Sequence, residues 1–254
     1  VLGELRQQKL VDLLMTKKSV RISELREMFD VSEETIRRDL KKLESDGVLK
    51  RTHGGAILAE EVHVVPPFSQ RSQQQLREKM ALADKAAALV GERATVMLDS
   101  GSTTLEIARR LAGRHVTVIT NDLTIAMELS GSLHVQLIVL GGSQQKGTCT
   151  LVGPECEETI QRYHVDFVFL GTGGISVKQG LTTSSSAEAI VKRAMMAAGR
   201  EVYCVADRSK FGRAALVSYA KPEEITGILT NPSVDAEWVQ PLLERGTNIV
   251  YADA

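Results

Sequence analysis

Short apolar runs recur through the last two thirds of the chain: ATVMLD, HVTVIT, HVQLIVL, DFVFLG, EVYCVA, TGILTN and NIVYA. Each is apolar at consecutive rather than alternate positions, and amphipathic segments separate them. Strands buried on both faces and joined by helices pack as a mostly parallel sheet covered on two sides, so the fold class expected here is α/β. Ligands of such sheets bind beyond the carboxyl ends of the strands, which directs attention to the loops there.

The most informative of those loops is LDSGSTTLEIARRL. Asp99 closes a strand, and Ser100, Gly101, Ser102, Thr103 and Thr104 lead into a helix. Free first-turn amides, added hydroxyls and a glycine permitting close approach together make a phosphate cradle. Other strand ends contribute Asn121, Gly173, the loop hydroxyls of Thr182 and Thr183, and Lys210. Glu188 and Lys192 stand one helical turn apart, a spacing that suits a surface ion pair as well as ligand contacts. GTGGIS does not read as a dinucleotide loop, because Ser176 stands where a third glycine belongs and a turn follows.

The first sixty residues carry a different chemistry. Leu10, Val11 and Leu14 place a first helix over Glu4 to Lys17, the Val20-Arg21-Ile22 run reads as a short strand, and Ser23 begins a second helix. Ser32 is expected to cap a third helix, in which Ile36, Leu40 and Leu43 form one apolar side. Gly47 is expected to end it, and VLKRTHGGAIL reads as a hairpin turning at Gly54-Gly55. Between Thr35 and His53 six basic residues face three acidic ones, in a chain whose formal net charge is −1. Charge concentrated in this way fits a nucleic-acid footprint, with a solvated helix face as the alternative. A helix-turn-helix with a wing would set Ser32, Thr35, Arg37, Arg38, Lys41 and Lys42 in a DNA major groove and hold Lys50, Arg51 and His53 against phosphates or a minor groove. Glu33 and Glu34 would repel phosphate unless turned aside.

AEEVHVVPPFSQRSQQQ, with adjacent prolines and a polar tract, separates the two regions. The expected organisation is a winged helix-turn-helix domain over 1–58, a linker over 59–75 and an α/β effector-binding domain over 76–254. Charged residues are 25% and hydrophobic ones 43%, the balance of a globular chain. Val1 to Lys18 mixes charges among its leucines, unlike a secretory signal, and no window has the roughly 18 apolar residues of a membrane span, so a cytoplasmic location is expected. Cys149, Cys156 and Cys204 form no C-x-x-C pair and are expected to be ordinary buried thiols, and no metal or other cofactor is expected.

SEETIRRDLKKLESDGVLKRTHGGA resembles the helix-turn-helix and wing of the DeoR family of bacterial repressors, whose signature joins an early arginine, here Arg6, to S-x-x-T-I-R-R-D-L, here Ser32 to Leu40. The resemblance extends over almost the whole chain. It implies a C-terminal domain similar to the pentose phosphate isomerase and CoA transferase superfamily, sensing phosphorylated sugars or related metabolites. DSGSTT resembles the phosphate loop of that domain, and TN, GLTT, the Glu188 to Lys192 helix and ADRSKFG resemble its other loops. Where the family often reads G-A-D-G-I-D, this chain has Gly173 and Ser176 in place of the two acids. Their loss weakens the alternative of a sugar-phosphate isomerase-like enzyme with an accessory DNA-binding module, since proton abstraction needs a positioned base. The expected partners are double-stranded operator DNA, a phosphorylated sugar or polyol, and further copies of the chain as a dimer or tetramer, because one short helix contacts too little DNA to be selective.

Overall fold

A computed structural model of the chain describes residues 6–7, 9–10, 13–14, 17, 19–45, 49–58 and 68–252. They form two compact units, Val1–Val64 and Val65–Ala254.

In the first unit, residues 6, 7, 9, 10, 13, 14 and 17 are helical, and Leu10 and Leu14 are fully buried. Val11 and the helix end expected at Gly47 lie outside the described residues. Strand β1 (Ser19–Arg21) precedes α1 (Ile22–Phe29), so Ile22 opens the helix instead of closing the strand. Asp30 ends α1 in the left-handed conformation, its N–H returning to Arg26 O, and α2 (Glu33–Ser45) starts three residues later. Ser32 takes the expected part, with Thr35 N donating to its Oγ at 3.3 Å. Ile36, Leu40 and Leu43 are buried against Leu25, Phe29 and Leu49 in one core.

The wing is β2 (Leu49–Thr52) and β3 (Gly55–Leu58), and β3 lies centrally in a three-stranded antiparallel sheet with β1 on its other side. The turn falls on His53-Gly54, one residue earlier than expected. Gly55 belongs to the sheet, opposite Arg21, and a Cβ there would lie 2.0 Å from Val20 O. The two glycines therefore answer different demands, a turn and a close strand approach.

The expected linker is only partly outside the described residues, over 59–67. Its second half belongs to the α/β unit, as helix α3 (Phe68–Gln73), followed by α4 (Leu76–Leu89). Phe68 packs against the core beneath it.

Seven strands form one fully parallel sheet: β4 (Thr95–Leu98), β5 (Val116–Thr120), β6 (Val135–Val139), β9 (Val165–Leu170), β12 (Gly199–Val205), β14 (Gly227–Thr230) and β15 (Ile249–Tyr251). Every apolar run read from the sequence is present. Met97, Val168, Cys204 and Ile228 enter one core, while their neighbours Leu98, Phe169, Val205 and Leu229 enter the other. That two-sided burial is why the runs do not alternate.

The strand order is β15-β14-β12-β9-β4-β5-β6. From β4 the chain winds outward through β5 and β6, then restarts on the other side of β4 with β9, so the switch point lies between β4 and β9. Two smaller features were not anticipated: the antiparallel sheet of β10 (Gly174–Ser176), β11 (Gly180–Thr183) and β13 (Val217–Ala220), and the hairpin of β7 (Ser143–Gln144) and β8 (Leu151–Val152). Helices α5 (Ser102–Leu111), α6 (Leu123–Leu129), α7 (Pro154–Ile160), α8 (Ser186–Ala198) and α9 (Ala236–Leu243) complete the unit. Among the described residues, no helix is long and apolar enough to cross a membrane, and no group of three or more His, Cys, Asp or Glu is placed to hold a metal. All three cysteines are free, and Cys149 is half-exposed rather than buried.

Candidate functional site

In the helix-turn-helix unit the basic residues divide into tied and open ones. Arg37 is held by Glu33, one turn earlier, through Nε at 2.9 Å and Nη2 at 2.7 Å. Arg51 on the wing is held by Glu44 of α2, which also accepts its backbone N–H at 2.9 Å. Arg38, Lys41, Lys50 and His53 are exposed without a side-chain partner among the described residues, and Lys42 is exposed beside them. Ser32 and Thr35 share a hydroxyl hydrogen bond of 2.9 Å at the N-terminus of α2. Glu33, awkward beside phosphate, thus has its charge turned onto Arg37.

Sequence reading gave Asp39 no task, yet it anchors the unit. Its carboxylate is buried and accepts from Arg6 Nε at 2.6 Å and Gln7 Nε2 at 2.8 Å, thirty-three and thirty-two residues away. This ion pair is the physical reason an early arginine and the aspartate of R-R-D-L occur together.

At the switch point of the α/β unit, Asp99 follows β4 and accepts hydrogen bonds from Gly171 N at 2.9 Å and from Lys192 Nζ. Lys192 is buried, donates also to Gly171 O at 3.0 Å, and lies 5.4 Å from the Tyr219 ring centroid. Burial pushes the Asp99 carboxyl up, and Lys192 and the Gly171 amide pull it back. Glu188 does not pair with Lys192. It accepts from Thr183 Oγ1, from Ser184 Oγ at 3.3 Å and from Gln145 Nε2 at 2.6 Å, and Gln145 in turn accepts from Ser185 Oγ at 2.7 Å.

Helix α5 begins beside Asp99 with no side-chain cap on its first-turn amides. Ser102 and Thr103 are 7% and 8% exposed, and their hydroxyls have no hydrogen-bond partner among the described residues. Thr104 differs, since its hydroxyl donates to Gly101 O at 2.9 Å. Gly101 is extended at φ 167°, and a side chain there would meet only Thr104 Oγ1, at 3.3 Å. Ser100 donates to Asp122 Oδ2 at 2.5 Å and contacts Thr150 Oγ1 at 2.7 Å. Asn121 donates to Leu151 O at 3.0 Å, while its buried Oδ1 has no partner among the described residues.

Thr182 and Thr183 lie on strand β11, not in a loop. Thr182 is fully buried, donates to Gly174 O at 2.9 Å and accepts from Ala215 N at 2.8 Å, so its hydroxyl serves the small sheet. The Gly173 amide is likewise engaged, with Thr182 O at 2.7 Å. Lys210 sits in a single turn, Arg208–Lys210, after β12; burial pushes its ammonium down, Asp207 opposes that, and Arg71 and Arg213 add to it.

Arg71 and Lys79 were missed. Burial pushes the Arg71 guanidinium down against the pull of Glu188, Asp122 and Asp99, so one arginine on α3 is in electrostatic reach of three carboxylates at the strand ends. Lys79, 3% exposed, fixes α3 by donating to Arg71 O and to Gln74 O at 2.6 Å. Reading 68–75 as linker hid the arginine. A signal for Lys79 was present: it falls on the buried stripe of α4 with Leu82, Ala83 and Ala86.

Residues 6–62 match the DeoR-like helix-turn-helix domain, and residues 74–232 match the DeoR C-terminal sensor domain. The chain is 33% identical to the uncharacterized HTH-type transcriptional regulator YulB of Bacillus subtilis, covering 96% of this chain and 95% of that protein. It is 34% identical to the HTH-type transcriptional regulator GlpR of Haloferax volcanii, with 96% of each covered. The transcriptional repressor AccR of Agrobacterium fabrum is 38% identical, over 89% of this chain and 88% of that one. Among solved structures, ribose 5-phosphate isomerase A of Methanocaldococcus jannaschii aligns with a TM-score of 0.38 at 19% identity, covering 52% of each chain. With both domains matched in order and regulators aligned along nearly their whole length, the chain belongs to the DeoR family of helix-turn-helix transcriptional regulators.

Proposed function

We propose that this regulator represses a carbohydrate-utilisation operon as a dimer or tetramer, and that a phosphorylated sugar or polyol bound at the strand ends releases it from operator DNA. One observation carries the effector reading. Beside the switch point, the uncapped amides of α5 and the unpartnered Ser102 and Thr103 hydroxyls supply donors without acceptors. Arg71 and Lys210 are half-buried cations in electrostatic reach of one another nearby. Free amides and unpartnered hydroxyls with two cations nearby suit a phosphate group. Asn121 Oδ1 is a candidate acceptor for a sugar hydroxyl, and Asp99, Lys192, Glu188 and Thr183 supply the polar floor.

The DNA reading rests on Arg38, Lys41, Lys50 and His53, open to solvent around α2 and the wing, with Ser32 and Thr35 at the helix start. A transcriptional repressor among the relatives supports repression. Release requires that the effector prefer the state with low DNA affinity, and by linkage DNA then weakens effector binding by the same factor.

The test is a mobility-shift assay on DNA from the chain's own upstream region, titrated with a panel of sugar and polyol phosphates. At least one is expected to release the DNA. Ser102→Asp is expected to abolish that release and keep DNA binding, because a carboxylate in the cradle repels phosphate. If no panel member alters occupancy, or if the variant still responds, the effector reading falls.

A further inference from the structure

Behind the small antiparallel sheet, away from α5, lies a cavity of about 610 Å³ framed by the β10–β11 turn, β13 and the single turn Pro222–Glu224. Lys178, Arg193, Lys221 and Arg245 line it, against Glu223 and Glu224. The Glu224 carboxylate accepts the Lys221 backbone N–H at 2.8 Å, so it is partly engaged.

The arginines are braced by the cavity's own walls. Arg193 Nε donates to Tyr219 O of β13 at 3.0 Å, and Arg245 Nη1 donates to Val177 O at 3.0 Å. An arginine held through one nitrogen keeps its plane fixed and its other N–H groups directed. Those remaining donors have no protein acceptor among the described residues. The pocket is open to solvent, and the four cations lining it are exposed. Two anchored guanidiniums and two lysines lining one pocket favour an anion, and guanidinium–phosphate pairing is among the stronger charge-assisted contacts.

We propose that this cavity is a second anion site, taking a small phosphorylated metabolite, distinct from the cradle at α5. The fold also gives it a route to the switch point. Arg193 follows Lys192 on α8, and the Tyr219 that it braces donates its hydroxyl to Gly171 O at 3.2 Å under the Lys192 ammonium. A ligand that pulls on Arg193 therefore acts on β13, whose Tyr219 reaches Gly171, the residue hydrogen-bonded to both Asp99 and Lys192.

Calorimetric titration of the full chain with inorganic phosphate at low salt tests the site. Two phosphates per chain are expected. Arg193→Ala/Arg245→Ala should weaken one of them by at least about tenfold, and Ser102→Asp should remove the other. Loss on the arginine substitutions but not on Ser102→Asp upholds this site and removes the cradle; the opposite pattern removes this site and upholds the cradle. Should the double variant fold poorly, Arg245→Gln, at an exposed position, carries the same comparison. Unchanged phosphate binding in a folded arginine variant overturns the proposal, as does wild-type protein that binds no phosphate. It is overturned too if Arg245→Glu changes only the oligomeric state, which would make the cavity a contact between copies.

Discussion

Lys192 donates to Asp99, ninety-three residues away, and not to Glu188 one turn before it on α8. The pair is nearly dry on both sides, with side chains 5% and 3% exposed. Two buried charges at contact neutralise one another, but either alone has no water to fall back on. Lys192→Met should therefore destabilise the α/β unit by about 3–5 kcal/mol, by stranding the carboxylate. Adding Asp99→Asn should recover a large part of that loss. Urea unfolding of the two single variants and the double variant checks it, and simple additivity would show that the pair does not act as a unit.

Gly55 and Gly54 look interchangeable in the sequence and are not. A Cβ at 55 would sit 2.0 Å from Val20 O, whereas one at 54 would meet nothing within 4 Å. Gly55→Ala must open the β1–β3 pairing, with an expected cost of about 3 kcal/mol, while Gly54→Ala should stay within about 0.5 kcal/mol. Amide exchange at Val20 and Ala56 reads the difference directly, since opening this sheet should raise both rates. Equal protection in the two variants would mean that the strands have room to part.

The parallel sheet was legible because two-sided burial writes itself as consecutive apolar residues, as in Val96-Met97-Leu98. Helix α2 was legible for the opposite reason, a single apolar stripe at Ile36, Leu40 and Leu43. Strand β11 was not, because Gly180-Leu181-Thr182-Thr183 is buried through hydrogen bonds of its threonines, which read as polar loop residues. The site was half legible. The residues proposed for the cradle are contiguous in the chain, so Ser102 and Thr103 stood out by inspection. Partners joined across the fold, such as Asp39 with Arg6 or Lys192 with Asp99, have no local mark that names the other member. Arg71 was lost because the adjacent prolines and polar tract outweighed the helix signal of Phe68 to Gln73.

Arg37 and Arg38 should separate in operator binding. Arg37 already has Glu33 as a counter-ion, while Arg38 is open to solvent. Arg38→Ala is expected to weaken binding by about 1–3 kcal/mol if it reads a base, or to lower the salt slope by about one if it holds a phosphate. Glu33→Gln should strengthen binding, since it frees Arg37 and removes the negative charge that neutralises it. Anisotropy titrations across a salt series decide between these outcomes, and an Arg38→Ala curve that overlays the wild type at every salt takes Arg38 out of the interface.

Lys79 should leave a signature in the pH dependence of stability. Burial brings its ammonium down from 10.5 to about 8 in the folded chain. A neutral amine still has two N–H donors, which match its two acceptors, Arg71 O and Gln74 O. Below pH 8 folded and unfolded chains both hold the proton; between about 8 and 10.5 only the unfolded chain does, so stability rises with pH across that window. Burial raises Cys156 to about 11 and Cys204 to about 12, from 9.0, and these thiols act in the opposite direction as the unfolded chain ionises first above pH 9. Their effect is common to wild type and Lys79→Met, so the difference between the two proteins isolates the lysine. Urea midpoints measured from pH 7 to 10.5 should diverge in favour of the wild type as the pH climbs. Parallel curves would mean that Lys79 keeps its proton when buried, and the tie between α3 and α4 would then be a charged one.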